Sequence, residues 1–211
     1  MSPLNPDKAL IFRIAHRDNL PWILDNGFHA QSGKMRDPSF RNIGNPDLIQ
    51  KRTTRVVNVG PGGTLSDYVP FYFTPFSIMM YNIHTGYNVP QVANEDILIF
   101  TSSLPRILEL DIPFVFTDQH AYTMMANYYT DLGDLNAIDW NLLNRKDFRH
   151  DPDDPGKKER YQAEALVWKH LPLEALLGIC GFTDQVDESI RAQLAQRNLN
   201  VRTIVKKEWY F

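Results

Sequence analysis

One cysteine in 211 residues rules out an internal disulfide and any site built on paired thiolates. Cys180 sits in the apolar run 176–182, which makes it a core thiol of a protein kept in a reducing compartment. No apolar stretch approaches the roughly 20 residues of a membrane-spanning helix. Residues 1–8 carry proline and aspartate where a secretion signal needs a basic start and a long apolar run, so a cytoplasmic protein without membrane contact is expected. There is no internal repeat, low-complexity tract or Ser/Gly linker, and a single domain over 1–211 follows. A Walker A loop, a GxGxxG after a strand and an HExxH are all missing, which removes the usual support for a kinase, a Rossmann dehydrogenase or a zinc protease. Basic excess is missing too: the net charge is −3, so any nucleic-acid partner has to be met by a local patch.

What is present suffices for a full core, with 43% hydrophobic and 12% aromatic residues. Apolar segments of strand length predict strands over 9–16, 68–73, 97–101, 114–117, 163–168, 179–182 and 201–205. Helices are expected over 77–84, 121–132, 139–145 and 184–196, and a further one opening at an Asp18 N-cap and closing at Gly27. Strand and helix do not alternate regularly, so the fold class is α+β with a mixed sheet. Residues 31–58 read as a long irregular loop with six basic side chains (Lys34, Arg36, Arg41, Lys51, Arg52, Arg55) against two acidic ones, Asp37 and Asp47. Loops of that length are more often functional than idle.

Three constellations can carry chemistry. In Tyr161-Gln162-Ala163-Glu164, strand alternation puts Gln162 and Glu164 on one face and Ala163 and Ala165 on the other. A carboxylate there suits an N-glycosidic bond whose sugar gains oxocarbenium character as it breaks, with Gln162 near the acceptor. An exposed Glu164 on a strand entering from solvent is an equally good reading of the residues alone. Arg13-Ile14-Ala15-His16 with Asn19 and Trp22 forms a strand end leading into a helix start, where free N–H groups can hold an amide or a phosphate. A lone histidine such as His16 is more often a structural hydrogen-bonder. The third group is Lys51-Arg52 with Arg55, followed by the aromatic run containing Tyr72. Arginine forks match pyrophosphate and aromatic faces offer stacking, although a solvated basic loop before a core strand explains the same residues.

Four stretches in order, His16-Arg17-Asp18-Asn19-Leu20, Gly62-Gly63-Thr64-Leu65-Ser66-Asp67-Tyr68 with Val69-Pro70-Phe71-Tyr72-Phe73, Pro113-Phe114-Val115-Phe116-Thr117-Asp118-Gln119-His120 and Tyr161-Gln162-Ala163-Glu164, resemble the DarT family of bacterial DNA ADP-ribosyltransferase toxins. The likeness spans nearly the whole chain, to Trp209-Tyr210-Phe211. It implies an ADP-ribosyltransferase fold with peripheral helices and long functional loops. It also implies NAD as co-substrate without a metal, thymidine in single-stranded DNA as acceptor, and the macrodomain antitoxin DarG as partner. Guanosine, RNA or protein is the alternative acceptor, and a binding module without turnover is the alternative class.

Residue by residue, the resemblance makes Glu164 the catalytic carboxylate and Arg52 the catalytic arginine of the NAD-binding loop. Arg13, Ile14, Ala15 and Trp22 fall on positions lining the NAD pocket, joined by His16 and Asn19 from the residue pattern. Arg13 stands where some relatives have histidine, so its backbone contacts carry over and its side chain does not. Tyr72, Met79 and His120 lie near the site, with Gln162, Lys51 and Arg55 toward the nucleic acid. A guanidinium hardly loses its proton, so Arg52 is expected to organise charge while another group deprotonates the base. With all three basic side chains taken as exposed, Arg52→Ala is expected to leave the melting temperature nearly unchanged.

Overall fold

The computed structural model describes residues 3–211. In chain order the main elements are β1 (Leu10–His16), α1 (Leu20–Asn26), β2 (Phe28–His29), α2 (Pro46–Arg52), β3 (Tyr68–Tyr72) and α3 (Ile78–Thr85). Next come β4 (Ile97–Ser103), α4 (Leu104–Glu109), β5 (Phe114–Thr117), β6 (Tyr128–Tyr129), α5 (Trp140–Arg145) and α6 (Lys157–Arg160). The last are β7 (Glu164–Trp168), β8 (His170–Leu171), β9 (Gly178–Gly181), α7 (Asp184–Gln196) and β10 (Thr203–Val205). Eight strands form one mixed sheet in the order β10-β9-β4-β1-β3-β7-β5-β6, and β2 and β8 pair separately. Only β9 and β10 run parallel; the other neighbours are antiparallel. This is the α+β, mixed-sheet class expected, with helices at the periphery.

One seam in the sheet matters for everything that follows. β1 and β4 are in register from Leu10↔Ser103 to His16↔Ile97, and β3 and β7 from Tyr68↔Trp168 to Tyr72↔Glu164. Between β1 and β3 only Phe12↔Tyr72 is paired. Extending that register by two residues would set Pro70 opposite Ile14, and proline has no N–H for the ladder. The strands part there and a cleft opens. Across it the Arg13 Nη1 donates to the Pro70 carbonyl at 2.8 Å.

The strand expectations hold to within two residues at each end. The helix expected over 184–196 is α7, capped by the Thr183 hydroxyl, which accepts from the Val186 N–H. Cys180 is fully buried, as a core thiol should be, and burial pushes its pKa up to about 12.

Four local expectations are overturned. The stretch 31–58 is not wholly irregular: Asn45 caps α2 by accepting from the Leu48 N–H, and Pro46 fits the first turn, where its missing N–H costs nothing. Asp18 caps no helix; α1 starts after Asn19, and the His16 imidazole instead accepts from the Asp18 N–H. Gly27 does end α1, at φ +70°, and a side chain there would strike the Leu171 carbonyl. Residues 121–132 make turns and β6 rather than a helix. Asp118 accepts from both the backbone and side-chain nitrogens of Asn127, which folds the chain back on itself. Finally, Gln162 lies outside β7: its N–H donates to the Glu159 carbonyl in the turn after α6, so strand alternation does not reach it.

Candidate active site

The parted sheet exposes the second half of β1 on one lip and the facing ends of β3 and β7 on the other. Arg13, Ile14 and Ala15 line the cleft from β1, Tyr72 from β3, Glu164 from the first position of β7, Arg52 from the last turn of α2, Met79 from α3 and His120 from the loop after β5. Eight of the residues expected from sequence therefore converge. The segment 40–45, which also lines the cleft, was missed at residue level; its only signal was membership of the long basic loop.

Glu164 is 2% exposed and carries the densest set of contacts. Its Oε2 accepts from Arg52 Nη1 at 2.9 Å, its Oε1 accepts from the Ala121 N–H at 3.0 Å, and His120 Nε2 stands 3.7 Å from Oε1. Burial pushes the carboxyl up, but the Arg52 charge and these hydrogen bonds outweigh it and hold it below its ordinary value. It is ionised at neutral pH. Burial acts the other way on His120, lowering the imidazole so that it is neutral there. Tyr72, opposite Glu164 in register, is raised by burial and by the Glu164 charge and stays a phenol donor.

The cationic wall is as constrained. Arg52 is 8% exposed, not a surface charge, so the premise on which an unchanged melting temperature was expected does not hold. Burial, with Arg52 nearby, lowers Arg13 to about 10, still charged at neutral pH. Among the described residues Arg13 Nε and Arg52 Nη2 are buried N–H groups without an acceptor, both on residues that line the cleft. Two such donors suit an anionic ligand such as a pyrophosphate.

Other expected residues serve differently. Asn19 is buried and does not line the cleft; its Nδ2 donates to the Arg41 carbonyl and its Oδ1 accepts from the Arg41 N–H, so it clamps the lining segment 40–45. His16 is buried beside Asp18 and also stays off the cleft wall. Trp22 lies in a neighbouring groove with His29, Arg36 and Phe40 that shares Arg13 and Arg52 with the cleft. Lys51 is exposed, and Arg55 is partly buried with Nη2 donating to the Thr123 carbonyl. Gln162 is off the wall, its amide nitrogen donating to the Lys158 carbonyl. Among the described residues no three His, Cys, Asp or Glu side chains converge as a metal site, and no helix is long and apolar enough to cross a membrane.

Residues 12–211 match a family profile described as "ssDNA thymidine ADP-ribosyltransferase, DarT". A "DNA ADP-ribosyl transferase" of Escherichia coli O127:H6 (strain E2348/69 / EPEC) is 53% identical, covering 99% of this chain and 96% of that one. The structure of Thermus sp. 2.9 DarT in complex with ADP-ribosylated ssDNA superposes with a TM-score of 0.90 at 32% identity, over 100% of both chains. The same Thermus protein in complex with NAD+ gives a TM-score of 0.84 at 32% identity, over 98% of this chain and 99% of that one.

Proposed function

The chain belongs to the DarT family, is an NAD-dependent DNA ADP-ribosyltransferase, and on that premise we propose that it modifies thymidine in single-stranded DNA with Glu164 and Arg52 as its catalytic pair. The observation that carries the reading is the buried Arg52–Glu164 contact on the wall of the sheet cleft, beside two guanidinium N–H groups that lack acceptors. NAD lies along the cleft with its pyrophosphate toward Arg13 and Arg52. The bond from the anomeric carbon to nicotinamide breaks, the sugar gains positive charge, and the ionised Glu164 stabilises it. A thymine imide nitrogen attacks the same carbon and loses its proton. Arg52 fixes the carboxylate and offsets phosphate charge, while His120, neutral and 3.7 Å from Glu164, is the group available to take that proton. Gln162 would reach the base only after releasing Lys158.

The whole stretch acts as one transferase domain of a toxin–antitoxin pair, working in the cytoplasm, where NAD and DNA are available, and countered by the macrodomain antitoxin DarG. Oligonucleotides that differ only by thymine-to-cytosine exchange, offered single-stranded and annealed, test the acceptor. Mass gain by one ADP-ribose only on thymine-containing single strands is expected, because the reacting edge is paired and stacked in duplex. Labelling of the cytosine control, of RNA or of protein alone would overturn the base assignment.

Asn19→Leu tests the clamp on the lining segment. Two part-buried hydrogen bonds vanish, a loss of about 1–3 kcal/mol in stability. Because Asn19 touches backbone of that segment and not the reacting carbon, KM for NAD should rise several-fold with kcat little changed. A kcat loss without a KM change would place Asn19 in the chemistry instead.

A further inference from the structure

The chain between β5 and β6 carries two adjacent methionines, Met124 and Met125, that the core does not bury. Met124 and Met125 are 83% and 79% exposed, the two most exposed large apolar side chains among the described residues. Their loop is held at its base. Asp118 binds both nitrogens of Asn127, the Tyr128 hydroxyl donates to the Ala121 carbonyl, and Arg55 donates to the Thr123 carbonyl while its Nη1 lies 3.3 Å from the Met124 sulfur. The tip therefore projects from a fixed stem. The same loop reaches the reaction centre, since the Ala121 N–H holds Glu164 Oε1. Three residues of chain span at most about 11 Å, so Met124 stands within that distance of Ala121.

We propose that Met124 and Met125 form an apolar wedge that packs on the bases flanking the modified nucleotide and sets the neighbour preference of the enzyme. This rests on the single-stranded DNA reading above. Three features commit the occupant to a nucleic-acid strand. The loop that carries the tip binds the catalytic carboxylate through the Ala121 N–H, Arg55 bonded to Thr123 supplies positive charge for the backbone, and exposed Lys51 stands four residues before Arg55 in the sequence. Unbranched thioether side chains are suited to lie on aromatic faces and to enter between bases. A base drawn out of its stack into a cleft leaves a gap beside it, and an apolar wedge fills that gap.

The test compares the full chain with Met124→Ser/Met125→Ser and Met124→Leu/Met125→Leu. Both pairs are surface changes, so melting temperatures should match the parent. On a single-stranded oligonucleotide with one thymine, KM should rise roughly five-fold or more in the serine pair, as loss of base stacking does, with kcat at saturation retained. In a pool with randomised neighbours, the pattern of modified sequences should flatten in the serine pair and return in the leucine pair. An unchanged KM and pattern in the serine pair, with the parent labelling thymine normally, overturns the wedge alone. Parent protein that labels no thymine overturns the acceptor reading and the wedge with it. A parent dimer that the serine pair turns into monomer, with DNA kinetics unaltered, assigns the methionines to self-association and overturns the proposal.

Discussion

Glu164→Gln should lower the transfer rate by about a thousand-fold while KM for NAD changes little, comparable with the loss of one preorganised electrostatic group in other active sites. The amide keeps the size of the carboxylate, and its one oxygen can still accept from Arg52, although the Ala121 N–H then faces the amide nitrogen and loses its acceptor. It has no charge to offer a sugar that becomes cationic only as nicotinamide leaves, so the loss falls on the transition state rather than on binding. Glutamine is the informative replacement because Glu164→Ala has a second consequence. It leaves Arg52 buried without its partner, a cost of about 3–5 kcal/mol, and failure to fold would then imitate loss of catalysis. Single-turnover release of nicotinamide with saturating DNA, beside thermal melts, separates the two. Near-parental turnover by Glu164→Gln would remove Glu164 from the reaction.

Arg52→Ala should lower transfer severely and shift the activity that remains to higher pH. Glu164 is held down by Arg52 against burial, which acts to raise it. Without the guanidinium, burial is opposed only by weaker partners, and the carboxyl titrates above its ordinary range. The sign for stability follows. In the parent the folded value lies below the unfolded one, so Glu164 stabilises the fold above the unfolded pKa, and that contribution is lost as pH falls through the folded value. In the variant the folded value lies above the unfolded one, so the ionising group destabilises the fold as pH rises past the unfolded pKa. Melting temperature against pH should therefore fall toward neutral pH relative to the parent, and the acid limb of the activity profile should move upward. Lys51→Ala, removing an exposed charge, should do neither. Parallel profiles for Arg52→Ala and the parent would mean that another group keeps Glu164 ionised.

The strands and the longer helices could be read from sequence because their signals are local. Residues 114–116 are uniformly apolar and 184–196 has a threonine cap before an amphipathic run. What escaped was set by distant partners. Asn45-Pro46-Asp47 is a helix start, yet seven residues with little apolar periodicity hide it inside a basic loop. Residues 121–132 have helical composition, but the Asp118–Asn127 closure and the bond of Arg55 from 68 residues away favour turns. At the site, Glu164, Arg52 and the β1 residues were readable from their order along the chain. Asn19 was mistaken for a ligand because a buried amide that clamps a loop and one that holds a cofactor look alike in sequence. Arg52 was mistaken for a solvated charge because its counter-ion is 112 residues downstream.

The seam at Pro70 divides the sheet into β10-β9-β4-β1 and β3-β7-β5-β6. Neither group is a continuous piece of chain: the path goes from β1 over to β3, back to β4, over again to β5, and returns to β9 only after β7. The two lips of the cleft thus depend on residues synthesised far apart, Arg13 near the beginning and Glu164 more than two thirds of the way along. A nascent chain that has emerged only as far as β6 has β1 and β3 but lacks β7, and so has no counter-ion for Arg52. The winding ties completion of the cleft to a late strand: a chain that stops before β7 lacks Glu164 altogether.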